Sequence, residues 1–188
     1  MIQLSQKGFN LRVTLSLISI NVIVFFMVHY MLNTPFYMAY FGLNYFVFRG
    51  FYWQVFTTMF MHGNLLHLLM NMAVLYQFGS VLEHRLGSLK FGLLYIIGGV
   101  LTSILSLSYT YFAAQNGVIV NLVGASGAIS VLLGFLAYVN PYMRNGLIMA
   151  ILLMSFVPML AGMNIGWYAH LFGFGIGYLY AYLAYGRR

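Results

Sequence analysis

Six apolar stretches, at residues 11–32, 65–82, 91–112, 126–139, 147–161 and 167–185, constrain the fold of this chain more than any other feature. A hydrocarbon core of about 30 Å needs roughly 20 helical residues at about 1.5 Å each, so each stretch is expected to cross a bilayer or nearly cross it. Between the first two runs the segment TPFYMAYFGLNYFVFRGFYWQVF is rich in aromatics and broken by Pro35, Gly42 and Gly50. That composition suits an interfacial structure in the headgroup layer, expected over residues 33–64. The expected fold class is therefore all-α: a polytopic membrane protein, a six-transmembrane-helix bundle with an interfacial first loop, forming a single domain over 1–188.

With 63% hydrophobic and 5% charged residues, the chain has too little polar surface to cover a water-soluble globule. The formal charge of +7 arises from eight basic residues against one carboxylate, Glu83. Their position excludes nucleic acid as a partner: they sit at the ends of apolar runs, as membrane-orienting charges do, and form no stripe or aromatic-interleaved patch. Membrane lipid is the expected surrounding. The absence of cysteine excludes disulfides, thiolate zinc sites and a cysteine nucleophile. No small-residue cleavage site closely follows the first apolar run, which is expected to be a retained span.

Lys7, Arg12, Arg85, Lys90, Arg144, Arg187 and Arg188 all fall on one side of a six-span topology, and only Arg49 falls on the other. The positive-inside rule then places both termini in the cytoplasm. Spans 2, 4 and 6 consequently start on the outer side, which puts three polar clusters at one depth. His62, Asn64, His67 and Asn71 open span 2, Ser126 opens span 4 and His170 opens span 6. Polar groups at membrane depth are costly unless they pair or line water, so the coincidence points to a shared hydrated site.

Each cluster has its own chemistry. His67 and Asn71 are four apart and share one helical face, where two donors suit an oxyanion; Asn64 is expected to cap the helix. Ser126 lies within Gly124-Ala125-Ser126-Gly127, whose glycines permit a sharp turn and close approach. At a helix start its own N–H is free to complete an oxyanion hole. Span 4 has about 14 residues, roughly 21 Å, so the serine is expected below the outer surface. His170 is the best-placed base for a serine nucleophile. A triad is excluded because Glu83 lies sixteen residues beyond His67 on the same run, about 24 Å towards the cytoplasm. Gly173 and Gly177, with Gly134 on span 4, would let spans 4 and 6 pack backbone to backbone.

These residues make the chain resemble the rhomboid intramembrane serine proteases in their six-helix bacterial form. The pattern is met by His62, the His67–Asn71 pair, Gly124-Ala125-Ser126-Gly127, Ala169-His170 with Gly173 and Gly177, and Glu83-His84-Arg85-Leu86-Gly87. The resemblance implies a Ser126–His170 catalytic dyad, with His67, Asn71 and the Ser126 amide stabilising the oxyanion. His62, Gly124, Gly127, Gly173 and Gly177 would support the site. It further implies a serine endopeptidase of a bacterial inner membrane that cleaves transmembrane protein substrates near the outer face. No cofactor and no metal are expected.

Two positions depart from the family pattern. Gln54 follows Trp53 where arginine is common, and Ser130 stands where an aromatic often packs on the histidine. Orientation of His170 is accordingly expected from Phe172, Phe174 or Tyr168. Ser103, Ser106, Ser108 and Ser155 read as helix-bonding hydroxyls, Met59, Met61, Met70 and Met72 as adaptable core, and Glu83 with Arg85 or Lys90 as stabilising a cytoplasmic turn. Three other functions stay open: a metal site built on His62, His67 and His170, a transporter, and an inactive family member that binds membrane clients.

Overall fold

The computed structural model describes residues 11–160 and 165–186. Lys7, Arg187, Arg188 and the chain from 161 to 164 lie outside the described residues. Among the described residues the protein is helical, and its one β-type contact is an isolated antiparallel bridge between Leu43 and Leu122. Six main helices occupy the six apolar stretches: α1 (Arg12–Met31), α4 (Leu65–Leu86), α5 (Ser88–Gln115), α6 (Ser126–Val139), α7 (Pro141–Leu160) and α8 (Trp167–Tyr185). Two short helices, α2 (Thr34–Phe41) and α3 (Gln54–Thr57), lie in the first connection. Of the described helices, α1, α4, α5 and α7 are long and apolar enough to cross a membrane by themselves. The chain is a helical membrane bundle.

Local chemistry moves several boundaries from their expected places. α4 runs on to Leu86, so Glu83 and Arg85 lie inside the helix, and Gly87 alone separates it from α5. That single-residue connection takes φ +79°, a conformation that glycine adopts at no steric cost. Glu83 therefore does not brace a turn with Arg85 or Lys90. It is 1% exposed and accepts from Val13 N at 2.9 Å, Thr14 N at 2.8 Å, Thr14 Oγ1 at 2.7 Å and Ser88 Oγ at 2.6 Å. The carboxylate closes the first turn of α1, where free N–H groups and the helix dipole favour negative charge. α7 begins at Pro141, six residues before its expected start, because proline is pre-organised for a first helical position. Arg144 thus belongs to α7, and its Nε donates at 3.2 Å to the Ala137 carbonyl near the end of α6.

α6 is the axis of the bundle, with every residue from Ala128 to Ala137 buried. Lipid tails are as apolar as leucine, so close packing rather than water exclusion must hold such a helix in place. Small residues supply it. A Cβ at Gly134 would overlap the Phe174 carbonyl, one at Gly173 the Gly127 carbonyl, and one at Gly177 the Val131 carbonyl. Gly98 and Gly99 admit Val131, Ala128 and Met59 in the same way on the α5 side. Met59, Met61 and Met72 are core as expected, whereas Met70 is 61% exposed on the outside of α4.

In the first connection, Asn33 caps α2 by accepting from Phe36 N at 3.1 Å, and Pro35 sits in the first turn. Tyr40, Phe51 and Trp53 pack ring to ring at 4.8–5.2 Å. Gln54 is fully buried beneath them: Nε2 donates to the Ala39 and Tyr40 carbonyls at 3.0 and 3.3 Å, and Oε1 accepts from Asn44 N at 3.1 Å. A neutral amide here fills the centre of the loop with both kinds of hydrogen bond, which a guanidinium, a donor only, does not supply.

Candidate active site

Ser126 is the first residue of α6, and the segment before it is held by the first connection. Leu43 and Leu122 exchange backbone hydrogen bonds at 2.9 and 2.8 Å. Asn121 Nδ2 donates to the Met38 carbonyl at 2.9 Å, and its Oδ1 accepts from Asn44 Nδ2 at 3.1 Å. Buried Thr58 works both ways: its hydroxyl donates to the Leu122 carbonyl, and its own carbonyl accepts from Gly124 N at 3.0 Å. Residues 38–58 thus fix the strand-like approach to the serine. None of these polar contacts was legible beforehand, although Asn44 and Asn121 stand out as amides in apolar sequence.

Gly124 turns the chain at φ +123°. A Cβ there would lie 2.8 Å from His67 Nε2 and 3.6 Å from Ser126 Oγ, so the imidazole of His67 rests against the Gly124 backbone beside the serine. His67 is placed by α4, whose N-cap Asn64 accepts from His67 N at 2.8 Å, as expected. Asn71, buried one turn further, donates one amide proton to the His67 carbonyl at 2.8 Å and retains a second. His62 packs its ring at 5.1 Å from that of His67, and neither of its nitrogens makes a hydrogen bond of regular geometry. Burial first, and His67 second, push its pKa down to about 3 against a small opposing effect of the Phe60 carbonyl.

His170, the fourth residue of α8, is 6% exposed, and its Nε2 lies 3.0 Å from Ser126 Oγ. The contact follows from the close approach of Gly127, one residue after Ser126, to Gly173, three residues after His170. Ser130 gives its hydroxyl to the Ser126 carbonyl at 2.7 Å, and its small side chain fits under Gly173. Phe172, Phe174 and Tyr168 do not orient the ring as expected: Tyr168 stacks on Tyr109 at 4.1 Å and Phe174 on Tyr178 at 6.5 Å, and no described aromatic stacks on His170. Ser155 of α7 meets it instead, with Oγ 3.3 Å from Nδ1. Ser126, Thr58, Thr102 and Ala169 share in lining a cavity with about 10 Å³ open to the centre of a water-sized sphere, close to the space one water needs.

A helical membrane bundle that holds a half-buried serine against an imidazole, with N–H donors alongside, has the parts for acyl transfer. The Rhomboid domain model matches residues 49–187, and the chain belongs to the rhomboid family. It is 33% identical over 150 residues to the rhomboid protein YdcA of Bacillus subtilis, covering 76% of this chain and 72% of that one. RHOMBOID-like protein 4 of Arabidopsis thaliana is 32% identical over 139 residues, 70% of this chain but 34% of the plant protein. Rhomboid protease GluP of Bacillus subtilis is 33% identical over 91 residues, 48% of this chain and 16% of that one. Members of the family are typically intramembrane serine proteases.

Proposed function

We propose that this protein is an intramembrane serine endopeptidase in which Ser126 is the nucleophile and His170 the base. The 3.0 Å contact between Ser126 Oγ and His170 Nε2 carries the reading. Attack forms the bond from Oγ to the scissile carbonyl carbon while the hydroxyl proton passes to Nε2. The new oxyanion is met by the Ser126 N–H, one of the helix-start donors without an intrahelical acceptor, and by His67 and Asn71. Collapse breaks the C–N bond, and the Nε2 proton leaves with the amine. Water, deprotonated by the same nitrogen, then releases the acid and restores the serine.

The substrates are transmembrane proteins whose helix unwinds near the outer face, and the natural setting is a bacterial plasma membrane with both termini cytoplasmic. Six spans, α1, α4, α5, α6, α7 and α8, make up this topology. Purified protein in proteoliposomes is expected to cleave a fluorogenic transmembrane peptide and to be labelled by a fluorophosphonate. Both activities should vanish in Ser126→Ala and His170→Ala. Labelling that survives Ser126→Ala sinks the assignment, and cleavage that survives it but yields to a chelator points to the histidines as metal ligands.

A further inference from the structure

The geometry points to Ser155 as a positioning residue that sets the tautomer of His170, and with it the ability of Nε2 to accept the Ser126 proton. The case rests on proton counting. Ser155 is fully buried, and its Oγ lies 2.7 Å from the Ile151 carbonyl and 3.3 Å from His170 Nδ1. A carbonyl oxygen only accepts, so the single hydroxyl proton of Ser155 is committed to Ile151. The oxygen then faces Nδ1 with its lone pairs. Nδ1 must bring the proton, and a neutral imidazole protonated at Nδ1 presents a bare lone pair at Nε2.

That lone pair is 3.0 Å from Ser126 Oγ. The opposite tautomer would aim Nε2–H at the serine, as a donor to the group that has to lose its proton, and would set two acceptors, Nδ1 and Ser155 Oγ, against each other between two buried residues. The chain from the Ile151 carbonyl through Ser155 and His170 to Ser126 therefore runs in one direction. A hydroxyl anchored to its own helix does here, without a charge, what a buried carboxylate does for the histidine of a triad. It suits this bundle, whose single carboxylate is committed to the first turn of α1.

The consequence for turnover rests on the proteolytic reading above; the tautomer itself does not. Protein carrying ¹⁵N-labelled histidine, at a pH above the imidazole titration, is expected to show a one-bond proton splitting on Nδ1 of His170, assigned by its loss in His170→Asn. In Ser155→Ala that signal should weaken in favour of Nε2–H, with kcat lower by about tenfold to a hundredfold and KM unchanged. Ser155→Thr, which keeps the hydroxyl, should restore both. An Nε2–H tautomer in the unaltered protein overturns the inference even if Ser155→Ala fails to fold, and so does a folded Ser155→Ala with an unchanged Nδ1–H signal. If the spectra change as expected while the unaltered protein cleaves nothing, the tautomer assignment stands and the proteolytic reading falls.

Discussion

On the proposed chemistry, the side chains around Ser126 divide into those that touch the reacting atoms and those that hold them in place. His62 belongs with the second group: it is 1% exposed, packs on His67 and stays neutral, its pKa held down to about 3 by burial and by that neighbour. The unfolded chain would bind a proton on this ring near pH 6.5, whereas the folded one resists to much lower pH. The stabilisation is fully present above that value and is lost as pH falls towards 3. The thermal midpoint in detergent should drop on acidification, and less steeply in His62→Gln; parallel profiles for the two proteins would show that His62 does not report on this equilibrium.

The helices carry the next level of specificity. α6 and α8 touch at backbone level, and Gly177 is seated so closely that a methyl group would overlap the Val131 carbonyl, while Gly175, two residues away, faces open space. Gly177→Ala should cost about 1–3 kcal/mol and slow fluorophosphonate labelling, because separating the helices pulls His170 from Ser126. Gly175→Ala should leave labelling unchanged and add up to about 1 kcal/mol of helix stability. Thermal midpoints and labelling rates check both, and equal effects at the two glycines would argue against backbone contact as the source of the geometry. The G-x-x-x-G spacing was legible in the sequence because it depends only on helical period. The partner atoms were not, since they depend on how α6 is rotated about its own axis.

At the scale of the whole molecule, the proposed topology turns the polar cluster outward, on the strength of where the basic residues fall in the sequence. The natural lack of cysteine makes this simple to test. Val118 is 51% exposed in the connection before Ser126, and Tyr142 is fully exposed at the start of α7. In intact cells or spheroplasts, Val118→Cys should react with an impermeant thiol reagent, and Tyr142→Cys only after permeabilisation. The reverse pattern would invert the topology and place the site at the cytoplasmic face.

The sequence by itself determined the helical membrane class and the approximate places of the main helices, because hydropathy and helical period are local or one-dimensional. It also identified the single carboxylate as remote from the serine. Tertiary structure decided which hydroxyl faces Nδ1 of His170, what Glu83 binds, and how Thr58, Asn44 and Asn121 hold the approach to Ser126. Ser155 has the same sequence signature as Ser106, one hydroxyl bonding back four residues along an apolar helix. Only the rotation of α7 against α8 turns one of them towards the histidine, and rotation is fixed by the packing of many small contacts that no single stretch of sequence contains.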